Sequence, residues 1–77
     1  MTMLKTLRPQ DYNEVAYVGH FFRKGQPVVL DLTGMSDADA KPLLDFAVGL
    51  VFGRRGDMER IAPKVFLLVP SGVVVNA

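Results

Sequence analysis

A chain of 77 residues, 49% of them apolar, with a net charge of +1, has the make-up of one small packed domain. The absence of cysteine excludes a disulfide framework and any thiolate metal site, and the near-neutral charge excludes a general attraction to nucleic acid or anionic lipid. A domain of this size buries only about 60% of the surface its unfolded chain exposes, so a second subunit is an expected source of further burial.

Met3 to Arg8 reads as a short strand ending before Pro9. Asp11 is a helix N-cap, with Glu14 three residues on completing a capping pattern. Val15, Val18 and Phe22 then fall at helical spacing, Gly19 is a weak point, and Gly25 stops the helix. Pro27 opens PVVLDL, where Val28, Leu30 and Leu32 share one strand face while Val29 and Asp31 share the other. Thr33-Gly34 is a turn.

Ser36 caps a second helix, with Asp37 and Asp39 in the first turn, where the helix dipole favours acids. The ring of Pro42 would meet the carbonyl of Ala38, so a kink is expected there, or a short first turn before a helix starting near Pro42. The pattern is strong from Leu43 to Phe52, and Gly53 and Gly56 bracket the exit. Met58 to Ala62 is a short strand, Pro63 a break, and Lys64 to Val69 a stronger strand. Pro70-Ser71-Gly72 turns the chain into a last strand, Val73 to Val75. This order implies an α/β protein of the α+β sandwich kind, with two helices on one face of a small mixed sheet of about five strands. The first two strands should be parallel, joined through the first helix. No linker or repeat divides 1–77, so a single domain is expected.

Two apolar surfaces exceed what such a domain can cover. On the second helix, Ala40, Leu43, Leu44, Ala47 and Val51 fall on an arc assigned to the sheet, while Phe46, Gly49, Leu50 and Gly53 form a neighbouring arc. Gly49 and Gly53, four apart, remove side chains where a second backbone could approach, which points to a helix-to-helix dimer. The alternative is that the first helix covers this arc. In KVFLLV, Val65, Leu67 and Val69 point one way, and Lys64, Phe66 and Leu68 the other. If the helices cover the first set, Phe66 and Leu68 lie on the far face beside Lys64, with Arg60 on the neighbouring strand. An apolar floor with a basic rim suits a peptide carrying apolar and acidic residues. The alternative places Phe66 in the core and makes Lys64 an ordinary edge charge.

Catalytic, metal and cofactor sites are not expected. His20 stands alone, Asp37, Asp39 and Asp45 serve one helix, and the chain has neither a phosphate-binding glycine loop nor a nucleophile elbow. Arg54-Arg55 with Arg60 and Lys64 lack the interleaved exposed aromatics of a nucleic-acid surface, so a small nucleic-acid-binding module is only a rival reading. No apolar run approaches the roughly 20 residues of a membrane span, and Met1 to Pro9 has no signal-peptide pattern.

PVVLDL, the helix start DADAK, Asp45-Phe46 with Gly49, Gly56, and Lys64-Val65-Phe66-Leu67-Leu68 before Pro70 together resemble the core domain of SepF, a bacterial cell-division family, in an actinobacterial form. The resemblance runs from about Arg8-Pro9 to Val75. It implies a homodimeric, non-enzymatic adaptor that binds the C-terminal tail of FtsZ and works in the cytoplasm at the division septum. It also implies that Gly49 is a position sensitive to self-association, and that the tail pocket lies on the later strands at the dimer junction, which points to Arg60 and Phe66. Membrane attachment would run through an N-terminal amphipathic segment that this chain lacks, so an excised core or a short paralogue is expected. Pro42 stands where the family pattern has a basic residue. Within the family, the alternative is a regulatory paralogue that pairs with SepF and modulates its assembly.

Overall fold

Asp11 opens the first helical segment as its position suggests. Its carboxylate accepts from the amide of Asn13 at 2.8 Å, while Glu14 accepts from the amide of Gln10. In the computed structural model, which describes residues 4–75, a 3-10 turn at Tyr12–Glu14 leads into helix α1, Val15–Arg23. The strands are β1 (Lys5–Leu7), β2 (Val28–Asp31), β3 (Asp57–Ala62) and β4 (Val65–Val69), and helix α2 spans Asp37–Gly53. Met3, assigned to the first strand from the sequence, lies outside the described residues.

The sheet has the order β1-β2-β4-β3. β1 and β2 run parallel across the α1 crossover, and β4 is antiparallel to both β2 and β3. Val73 to Val75 do not form the expected last strand. The topology gives the reason. β4 is an interior strand with β2 on one side and β3 on the other, so a return across Pro70–Gly72 cannot form a hairpin with β4 itself.

One face of the sheet carries the core. Val28, Leu30 and Leu32 are packed with Leu68, with Val18 and Phe22 from α1, and with Ala40, Leu43, Ala47 and Val51 from α2. Both helices therefore lie on that face. α2 runs unbroken through Pro42, so it does not start near that residue; it is capped at Ser36, whose Oγ accepts from the amide of Asp39 at 3.1 Å. Fully burying Leu43 and Val51 contributes about 1.5–3 kcal/mol each, enough to offset the roughly 3 kcal/mol that an interior proline costs.

The two helices end alike. At the end of α1 the amide of Gly25 donates to the Phe22 carbonyl and that of Gln26 to the Phe21 carbonyl. At the end of α2 the amide of Arg55 donates to Phe52 and that of Gly56 to Val51. Both are Schellman endings, whose first residue beyond the cap takes a left-handed conformation. Gly25 adopts it at φ 83°, and Arg55 at φ 57°. Gly56 is required for another reason: a Cβ there would stand 2.5 Å from the Val69 carbonyl oxygen and 2.8 Å from the Phe22 ring.

Candidate functional site

Register decides which residues of β4 meet the helices. Leu68 pairs with Val28, and Phe66 with Leu30, and both β2 partners are fully buried on the helix side. Of the two readings of the strand, the structure takes the one that turns Phe66 toward the core, and Leu68 with it. Phe66 and Leu68 face the helices, whereas Val65, Leu67 and Val69 lie half-buried on the open face. Leu68 is 0% exposed and belongs to the core, so it has no surface to offer a partner. Phe66 is only partly buried, packed against the edge of the core.

That edge is a cleft of about 370 Å³ between the first turns of α2 and the β3–β4 hairpin. Leu32, Leu44 and Phe66 supply its apolar lining, and Arg60, Lys64 and Lys41 supply positive charge around it. Arg60 pairs directly with Phe66 across the two strands, so the guanidinium and the ring belong to the same sheet face. A register shift between Arg60 and Ala62 follows at once. Bulges of this kind commonly re-aim side chains at sheet edges, and among the described residues β3 is an edge strand.

Lys64 closes one end of the cleft. Its Nζ donates to the carbonyl oxygen of Met35 at 2.6 Å and pairs with Oδ1 of Asp37 at 2.9 Å, tying the hairpin turn to the start of α2. The hydrogen bond and charge of Lys64 hold the Asp37 carboxyl below the usual carboxylate range. Lys41 pairs with Asp45 one turn along, at 3.0 Å. Arg60 has no carboxylate partner among the described residues. Three of the four residues expected to receive a tail, Arg60, Lys64 and Phe66, therefore come together, though on the helix side of the sheet. Asp37 and Leu44 also line the cleft, and the sequence did not mark them. Capping fully explains an aspartate at that position, and Leu44 reads as one more residue of the sheet-facing arc.

The dimer arc on α2 divides. Phe46 and Leu50 are half-buried and packed against the core, so part of their surface is covered within the chain. Gly49 and Gly53 are exposed, with no atom within 4 Å of where a Cβ would stand. Beside them Val48 is 37% and Phe52 70% exposed. The basic residues of the rival reading do not form one patch. Arg54 and Arg55 follow α2, while Arg60 and Lys64 lie near the far end of β3, roughly 15 Å away at strand rise.

The SepF family model, described as cell division protein SepF, matches residues 4–75. Among curated relatives, cell division protein SepF of Acidothermus cellulolyticus is 58% identical over 72 residues, covering 94% of this chain and 41% of the relative. The chain thus spans about two fifths of that relative's length. Among solved structures, a SepF-like protein from Archaeoglobus fulgidus superposes with a TM-score of 0.84 at 19% identity, over 95% of this chain and 90% of that one. Cell division protein SepF from Methanobrevibacter smithii, solved in complex with FtsZ-CTD, gives a TM-score of 0.78 at 18% identity, over 96% of each chain. At such identities these structures speak for the fold, and the α+β sandwich is theirs as well. By its match to the family model over nearly its whole length and its close identity to curated members, the chain belongs to the SepF family.

Proposed function

We propose that this chain is the non-enzymatic, dimeric adaptor core of a cell-division protein and that its cleft grips the C-terminal tail of FtsZ. The observation that carries the reading is the meeting of Arg60, Lys64 and Phe66 around one apolar-lined cleft at the open end of the sandwich. Phe66 and Leu44 would receive apolar side chains of an extended peptide, and Arg60, which has no carboxylate partner among the described residues, an acidic one. The structural neighbour from Methanobrevibacter smithii, solved with FtsZ-CTD, supports the choice of partner. Self-association would use the bare stripe of Gly49 and Gly53, bordered by Phe46 and Leu50 on one side and by Val48 and Phe52 on the other. A small domain gains core-like burial by covering such a stripe with a second copy. Work at the septum follows from the partner, and attachment to the membrane would run through a segment other than this core.

Calorimetry with a synthetic FtsZ tail peptide tests the assignment. Phe66→Ala should weaken binding at least about tenfold while leaving the dimer intact. Because Phe66 also touches the core, the exposed Arg60→Glu serves beside it. Unchanged affinity in a folded Arg60→Glu protein would remove the cleft from consideration.

A further inference from the structure

Among the described residues Lys64 has two partners, and they are held unequally. The Met35 carbonyl belongs to the main chain of a buried residue, and it takes one of the three donors of the ammonium group at 2.6 Å. Asp37 takes another at 2.9 Å, but its side chain is 92% exposed whereas that of Lys64 is 33% exposed. Among the described residues the Asp37 carboxylate has no other hydrogen bond. The cation is therefore fixed to the protein, and its counter-ion can leave by rotating about its own side-chain bonds. An exposed ion pair is worth little to stability. A displaced Asp37 is not stranded either, because it stands in the first turn of α2, where the helix dipole favours negative charge.

We propose that Asp37 is an internal stand-in for a peptide carboxylate: it occupies Lys64 in the free protein, yields it when an acidic tail enters the cleft, and so sets the affinity for that tail. The inference rests on the reading of the cleft as a tail site. Binding would exchange one carboxylate for another at Lys64, so the gain there is the difference between two similar ion pairs. At Arg60, which has no such competitor among the described residues, the gain is undiminished. The low-lying Asp37 carboxyl agrees with the pairing from which the exchange starts.

Calorimetry at low and high salt, with the FtsZ tail peptide as probe, compares the wild type with Asp37→Asn and Asp39→Asn. Both variants remove one negative charge from the first turn of α2, but only the first frees Lys64. Asp37→Asn should tighten binding about two- to fivefold at low salt, the range expected from releasing an exposed ion pair, and the gain should fade at high salt. Asp39→Asn should leave the affinity unchanged. In the wild type, carbon-detected NMR should show the Asp37 carboxyl titrating at a higher pH once the peptide is bound. Wild-type binding that neither Asp37→Asn nor the Asp37 titration alters would overturn the stand-in role and leave the cleft assignment standing. A wild type with no affinity for the peptide would overturn both.

Discussion

Arg60 on the edge strand β3 and Phe66 on the interior strand β4 are direct cross-strand partners, so a cation and an aromatic ring share one end of the helix-side face. Their roles in holding a tail differ in kind, and so should their signatures. Arg60→Ala should weaken the FtsZ tail complex in low salt by about tenfold and by much less in high salt, because screening already weakens an exposed charge. Phe66→Ala should cost a similar factor at both ionic strengths. Two parallel salt dependences would contradict this division.

Gly49→Lys places a long charged side chain at the bare centre of the α2 stripe. Desolvating that ammonium in a helix contact is costly, so the variant should sediment as a monomer at concentrations where the wild type is dimeric. Its fold should survive, since nothing lies within 4 Å of the added Cβ. A variant that kept the wild-type mass would place the self-contact elsewhere.

The left-handed Arg55 should be improvable. Replacing a non-glycine residue at that point of a Schellman ending by glycine removes a steric penalty of about 1–2 kcal/mol, less the entropy that glycine loses on folding. Arg55→Gly is expected to stabilise the domain by roughly 1 kcal/mol and to raise Tm by about 4–8 °C in calorimetry. Gly56→Ala, one residue on, should do the reverse, destabilising by about 1–3 kcal/mol as its methyl group meets the Val69 carbonyl and the Phe22 ring.

Asp31 offers a test in acid. Its carboxyl is held below the usual range first by the Thr33 hydroxyl and amide, at 2.6 and 2.9 Å, and then by the charge of Arg8. A carboxyl depressed in the folded state contributes stability that is fully present above its unfolded value, near pH 4, and is lost as pH falls through the folded one. Thr33→Val keeps the amide contact and deletes the hydroxyl. The variant should be less stable than the wild type at pH 7, and that gap should narrow at pH 2 to 3 in urea titrations.

Much of this protein was legible in its residues. Asp11, Ser36 and Gly25 mark their helix ends because capping and left-handed turns are local chemistry, and the alternation of Val28, Leu30 and Leu32 marks a half-buried strand. Arg60 and Phe66 were singled out, but the side of the sheet on which they meet was not. KVFLLV is apolar on both faces, so period-two alternation has no preferred side, and only pairing with β2 sends Phe66 and Leu68 to the helices. The same pairing makes β4 interior, so its return across Pro70–Gly72 cannot pair back onto β4 itself. The Lys64–Asp37 contact spans the α2 start and the hairpin turn, so no sequence spacing announces it. Composition, caps and periodicity determined the elements and the apolar surplus. Which surplus became core and which became a cleft was decided by strand register, a long-range property that local chemistry cannot set.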